Sequence, residues 1–308
     1  MNMKSMLLII NPMSGKGEIG DYLLGIIDIF IKHDIWPTVY ITQKKGDATE
    51  KARENAGKYD IIACCGGDGT LDEVVTGVVK SHQQCRIGYI PMGSTNDYAQ
   101  SLRLAGDIQK AALAITKDSP ISLDVGRFDD DVFVYVAAFG MFTEVSYRTP
   151  QDMKNALGHM AYIIEGAKSL FEVKTYPMKV IADGETIEGE FLYGMVANSE
   201  SVGGFKNLTG DNIQLNDGLF EVVLIRQPET PLGWNEVING LLTHQSSGDI
   251  FFLKAHRITF LSDTEVPWTL DGEDGGLHRE VLIRNRRNAI QILVDEPEEI
   301  PADTQDMQ

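Results

Sequence analysis

Ile61-Ile62-Ala63-Cys64-Cys65-Gly66-Gly67-Asp68-Gly69-Thr70-Leu71-Asp72-Glu73 is an apolar run of strand length that breaks at glycine and resumes with helical character. Three glycines in four positions leave no Cβ to hold a ligand off the backbone, and the N–H groups that open a helix attract anions. The stretch therefore predicts a strand, a phosphate-sized loop and a helix, and a triphosphate is an anion that fits. Asp72 stands where GxGxxG would place its last glycine, so the fingerprint of a nicotinamide dinucleotide site is not met. Asp68 would repel a phosphate held by these amides unless Mg²⁺ or ordered water stood between them. Thr70 and Glu73 also have the spacing of a capping box, which by itself would only secure the helix.

Outward from this stretch, strand-like and helix-like runs alternate over residues 6–10, 22–31, 38–42, 48–56, 61–65 and 87–90, with an N-cap signal at Asp47-Ala48-Thr49-Glu50. Such alternation predicts right-handed crossovers in an α/β domain with a largely parallel sheet. From about Asp124 onward strand-like segments dominate, at 132–138, 191–197, 220–225, 256–261 and 281–284, interrupted by one helical stretch at 151–171. The expected organisation is an α/β nucleotide-binding domain over 1–125 and a β-rich, sandwich-like domain over 126–290. Residues 291–308 are expected to return to the first domain and end in a mobile acidic tail.

Open α/β sheets place ligands at the carboxyl ends of their strands, and two further loops fall there. Asn11-Pro12-Met13-Ser14-Gly15-Lys16-Gly17 is not a P-loop, which would need glycine at Ile10 and Ser or Thr at Gly17. It reads equally as a loop that approaches phosphate or as a plain strand-to-helix turn. Pro91-Met92-Gly93-Ser94-Thr95-Asn96-Asp97-Tyr98-Ala99 supplies hydroxyls, a glycine and a second carboxylate, Asp97, which is also a candidate N-cap.

Charge narrows the partners. Against 45 Asp and Glu stand 27 Lys and Arg, a net charge of −18 over 308 residues. Six of the acids lie in residues 291–308, which leaves a body of about −12. That argues against nucleic acid as a partner, whose affinity comes largely from Lys and Arg. No apolar run approaches the roughly 20 residues that span a bilayer. Cys64, Cys65 and Cys85 have no CxxC spacing, so neither a disulfide framework nor a zinc ribbon is supported, and a cytoplasmic location is expected.

Taken together, Asn11-Pro12-x-Ser14-Gly15, Gly66-Gly67-Asp68-Gly69-Thr70 with Glu73, and Pro91-x-Gly93-Ser94-Thr95-Asn96-Asp97 form an ordered set with Asn216-Asp217-Gly218-Leu219 and Leu270-Asp271-Gly272-Glu273. From residue 6 to about 294 the chain resembles the diacylglycerol kinase catalytic-domain family, which includes bacterial lipid kinases and the sphingosine and ceramide kinases. NAD kinases share the Gly-Gly-Asp-Gly-Thr motif, and the two later motifs favour the lipid kinases. The resemblance implies an ATP site formed by Asn11, Pro12, Ser14, Gly15, Thr42, Gly66, Gly67, Asp68, Gly69, Thr70, Leu71, Asp72, Glu73, Gly93, Ser94 and Asn96. It implies an aspartate and water network of Asp68, Asp97 and Asp124 around a catalytic Mg²⁺, and a general base within Asp271 and Glu273. A structural Mg²⁺ would fall on Asp217 with the carbonyls of Gln214 and Leu219, with Asn216 where some members have a second Asp.

The implied activity is transfer of the γ-phosphate of ATP to a hydroxyl of diacylglycerol or a related lipid, giving phosphatidic acid or an analogue. The lipid would be met by peripheral contact at the inner membrane surface. The alternatives are an NAD kinase and an inactive nucleotide- or lipid-sensing regulator. The joint presence of Asp68, Asp97, Asp271 and Glu273 weighs against the regulator, since a sensor needs a phosphate loop but no base. Outside the resemblance, Asp271-Gly272 is simply a common turn dipeptide. The apolar spacing in 151–171 suits either an acyl-chain groove or core, and Arg284, Arg286 and Arg287 suit either an anion contact or a solvated strand end. Packing alone accounts for Cys64-Cys65, and a homodimer is the base-rate expectation.

Overall fold

The computed structural model describes residues 3–94, 96–104, 106–141, 174–199, 201–202, 205–206 and 213–295. The helical stretch expected at 151–171 and the acidic tail lie outside them. β1 (Lys4–Ile10), β2 (Ile35–Ile41), β3 (Ile61–Gly66) and β4 (Arg86–Pro91) pair in parallel in the order β2-β1-β3-β4. Apolar side chains on both faces of β1, β3 and β4 explain the burial, as parallel strands covered by helices require. Leu7, Ile9, Ile62 and Cys64 pack under α2 (Asp47–Asn55) and α3 (Asp68–Ser81). On the opposite face Met6, Leu8, Ile10 and Cys65 pack with Ile26 and Phe30 of α1 (Ile19–Lys32). Two shorter helices follow β4, α4 (Asp97–Ser101) and α5 (Ile108–Thr116).

The other described strands begin with β5 (Ser119–Phe128), β6 (Asp131–Phe133), β7 (Val136–Gly140), β8 (Tyr176–Ala182) and β9 (Glu185–Ala197), then the short antiparallel pair β10 (Ser201–Val202) and β11 (Phe205–Lys206). β12 (Phe220–Arg226), α6 (Pro231–Thr243), β13 (Ile250–Ala255), β14 (Arg257–Leu270) and β15 (Glu273–Val294) complete the described elements. The largely parallel sheet expected from the sequence needs correction. Thirteen of the described strands form one continuous mixed sheet, in which β1 to β4 and the end of β15 are parallel and the other pairings are antiparallel. β15 is 22 residues long; it pairs with β14, then with β5, and its Gln291 and Ile292 lie parallel beside β4.

The break placed at residue 125 falls within β5, and the single strand expected at 132–138 is two, because Val134 and Tyr135 leave the ladder between β6 and β7. A second core gathers Phe128, Phe139, Phe191, Phe220, Phe260 and Trp268 among the later strands. Trp268 is 2% exposed, and its ring centroid lies 5.1 Å from Phe128, 4.9 Å from Phe139 and 4.9 Å from Phe260 in edge or tilted contacts. Trp268→Ala is expected to destabilise the chain by about 3–5 kcal/mol, read as a lowered urea midpoint. A loss under 1 kcal/mol would show that this cluster is not the keystone of the second core.

Candidate active site

Three loops meet at the carboxyl ends of β1, β3 and β4. Asn11 donates from Nδ2 to Thr70 Oγ1 at 3.1 Å, and its Oδ1 accepts the Met13 N–H at 3.0 Å. A Cβ on Gly93 would stand 2.7 Å from the Gly67 Cα, and one on Gly66 would stand 2.3 Å from Thr70 Oγ1. Glycine is therefore needed here for loop to approach loop, beyond any need of a ligand. The Asp68 carboxylate accepts the N–H groups of Asp97 at 2.9 Å and Tyr98 at 3.2 Å, so it caps α4 and ties the second loop to the third. Asp97 is thus the first residue of α4 rather than its N-cap, a place taken by Asn96, which has φ +53° and brackets Gly93 with both side-chain atoms.

Glu73 does cap a helix, but not its own. Its two carboxylate oxygens accept the N–H groups of Gly46 at 2.9 Å and Ala48 at 3.1 Å, at the start of α2. Asp47 faces the other way, accepting the N–H groups of Gln43 at 2.6 Å and Lys44 at 3.2 Å, so Gly46 at φ +84° takes the N-cap position expected for Asp47. Two carboxylates thereby fix residues 43–48 as a fourth loop, at the carboxyl end of β2.

A cavity of about 610 Å³ opens among these loops. It is walled by Asn11, Pro12, Ser14, Thr42, Gly67, Gly69, Thr70 and Glu73 of the expected nucleotide set, and by Glu273. Met13, within the loop already singled out after β1, also lines it, as do Gln43, Lys44, Lys45 and Ala48, which escaped the sequence reading. The available signal was position, since residues 43–48 follow a parallel strand as the other three loops do. Gly15, Gly66, Asp68, Leu71, Asp72, Gly93, Ser94 and Asn96 are not in its walls; Leu71 is buried in the core and Ser94 is exposed.

The acids of the second half arrive on the hairpin between β14 and β15. Asp271 and Gly272 have φ +49° and +83°, and Leu270 pairs with Glu273 across this two-residue turn, which Asp-Gly suits. The Asp271 carboxylate accepts three consecutive backbone N–H groups, Val134 at 2.5 Å, Tyr135 at 3.0 Å and Val136 at 2.8 Å. These are the amides released where β6 breaks from β7. Burial raises the Asp271 carboxyl against the pull of those amides, and burial, with Asp271 beside it, pushes Asp72 well up. Of the two, Asp72 is raised the further, which makes it the hydrogen-bond donor of the pair toward Asp271. Asp68 is pushed up to about 6 by burial and by the charge of Asp97, with a smaller contribution from Asp271. Glu273 differs in kind: its side chain is 52% exposed at the cavity and accepts from Lys45 Nζ at 2.6 Å.

Asp124 lies with another group. Its carboxylate accepts the N–H groups of Gly218 and Asn288, each at 2.7 Å, and its backbone N–H donates to the Leu215 carbonyl. It braces the 215–219 turn, where Asp217 accepts the Leu219 N–H at 2.9 Å. Asp124 makes no described hydrogen bond to Asp68, Asp97 or Asp271. Among the described residues no three acidic, His or Cys side chains converge as direct metal ligands. The acids gathered at Asp68, Asp97 and Asp271 fit a Mg²⁺ that keeps most of its waters. Around the 215–219 turn, Asn198 Oδ1, Asn285 Oδ1 and Glu221 Oε2 are buried acceptors without a hydrogen-bond donor, an electron-rich setting that also suits a cation.

Comparison with known proteins identifies the class. The diacylglycerol kinase catalytic domain family matches residues 5–128, and the YegS C-terminal NAD kinase beta sandwich-like domain matches residues 136–294. Diacylglycerol kinases of Staphylococcus haemolyticus and Staphylococcus aureus are 33% and 32% identical over 271 residues, covering 87% of this chain and 82% and 86% of theirs. A crystal structure of a diacylglycerol kinase from Bacillus anthracis shares the fold at a TM-score of 0.74 and 24% identity, over 96% of this chain and 97% of that one. The chain belongs to the diacylglycerol kinase catalytic-domain family and is an enzyme of the lipid kinase class. Membership of a kinase family implies ATP as the phosphoryl donor.

The Asp72–Asp271 pair yields a pH test. A carboxyl that holds its proton to higher pH folded than unfolded makes folding lose stability as pH climbs from about 4 through the folded value. Asp72→Asn keeps a donor toward Asp271 and removes that titration. It is expected to raise the thermal midpoint in EDTA more at pH 8 than at pH 4, and equal shifts at both would refute the protonated pair.

Proposed function

We propose that this enzyme transfers the γ-phosphate of ATP, with Mg²⁺, to a hydroxyl of diacylglycerol or a closely related lipid presented at a membrane surface. The observation that carries this reading is the convergence on one cavity of the glycine loop, the loop after β1 and Glu273 from the β14–β15 hairpin. Phosphoryl transfer asks little covalent work of a protein, so positioned N–H donors and charge do most of it. The amides of Gly67 and Gly69 and the hydroxyls of Ser14 and Thr70 would receive the phosphates. Asp68 and Asp97 would hold the water shell of a Mg²⁺, which would offset phosphate charge when bound. Asp217, with the carbonyls of Gln214 and Leu219, would hold a second, structural ion.

Of the two acids in the hairpin, Glu273 is the one with a carboxylate at the cavity wall, so it is the proton acceptor in this reading. Asp271, with both oxygens on amides, sets the direction of the turn. The lipid is met by peripheral contact; no described helix is long and apolar enough to cross a membrane. The test is transfer of label from γ-labelled ATP into diacylglycerol, monoacylglycerol, phosphatidylglycerol, sphingosine and ceramide in mixed micelles, with NAD in parallel. Label is expected in a glycerolipid, and Glu273→Gln should lower kcat roughly 10²- to 10⁴-fold. Label in NAD alone would overturn the lipid reading, and an unchanged kcat in Glu273→Gln would overturn the assignment of the base.

A further inference from the structure

We propose that Lys45 is the phosphate-contacting cation of this site, held by Glu273 before nucleotide binds and transferred to the terminal phosphates when it does. This rests on the nucleotide reading of the cavity. Three observations carry it. Lys45 and Glu273 both line the cavity, and their ion pair, 2.6 Å from Nζ to Oε2, joins residues 228 positions apart in the chain. The backbone that presents Lys45 is clamped on both sides, by Asp47 on the N–H groups of Gln43 and Lys44 and by Glu73 on those of Gly46 and Ala48. The lysine thus stands on a clamped backbone at the cavity it shares with the glycine loop, with its own side chain 74% exposed.

Charge arithmetic gives the direction of the exchange. An ion pair between half-exposed groups is weak and readily broken. A polyphosphate offers more negative charge and more acceptor oxygens than one carboxylate, and Lys is a compact point charge suited to it. Among the described residues that line this cavity, the lysines are Lys44 and Lys45, and they share it with Gly67 and Gly69. Movement of Lys45 onto phosphate would also release the Glu273 carboxylate to the acceptor hydroxyl. The base would then be unmasked only when the phosphoryl donor is in place.

Titration calorimetry of ATP, ADP and AMP, each with Mg²⁺, against the full chain and its variants tests this. Lys45→Met is expected to weaken ATP roughly 10- to 100-fold, ADP less, and AMP by no more than about twofold. Lys45→Arg should keep most of the ATP affinity, and Glu273→Gln, which removes the competing ion pair, should tighten ATP a few-fold. Equal weakening of all three nucleotides by Lys45→Met, or none, would overturn the assignment, as would weaker ATP binding in Glu273→Gln. A wild-type chain that bound none of the three would instead bring down the nucleotide reading itself. Unchanged melting of Lys45→Met separates loss of contact from loss of fold.

Discussion

The carboxylate of Asp271 accepting three successive backbone amides is the constraint from which the geometry of the second half of the site follows. Strands β6 and β7 part at Val134 and Tyr135, and a break inside a sheet leaves amides that must find acceptors. One side chain from a different hairpin satisfies all three. The Tyr135 hydroxyl donates in return to the Asp271 carbonyl at 3.0 Å, so the turn is gripped from two directions. Glu273 can then reach the cavity because the turn that carries it cannot swing. Burying a charge is unfavourable unless it is paired or well hydrogen-bonded, and here three amides do that.

The same logic recurs around the glycine loop. Asp68, Glu73 and Asp47 each place two carboxylate contacts on backbone N–H groups of a neighbouring loop or helix start. Helix starts and tight loops are the places where amides lack partners. Acids that a ligand-centred view would aim at the ligand therefore build the frame that holds the glycines in position. In the proposed reading the chemistry is left to backbone donors, a few hydroxyls and the more exposed Lys45 and Glu273.

Much of the first half was legible because its pattern is local. β1, β3 and β4 announce themselves as buried runs followed by small-residue loops, and Tyr22 to Ile31 carries the period of α1. The cavity walls at Asn11, Thr42, Gly67 and Thr70 follow from where those strands end. Partners distant in sequence were not legible. Glu73 looks like a capping box because the residue three before it is Thr70, yet the amides it serves belong to Gly46 and Ala48. Asp124 looks like a site aspartate, yet Gly218 and Asn288, 94 and 164 positions away, receive its oxygens. Lys45 carried no motif, and only the fold brings it to Glu273.

β15 also bears on how the chain is assembled in time. β5 has no described pairing with β4; it joins the sheet through β15 and otherwise pairs with β6 alone. The open edge of β4 is filled by Gln291 and Ile292. During synthesis, the parallel strands and the glycine loop emerge long before the residues that complete their sheet. Until β15 arrives, the nascent first half exposes an unpaired edge of β4 and a detached β5, surfaces that invite chaperones or mispairing. The sheet beneath the glycine loop is thus closed on the β4 side by a strand made long after its own.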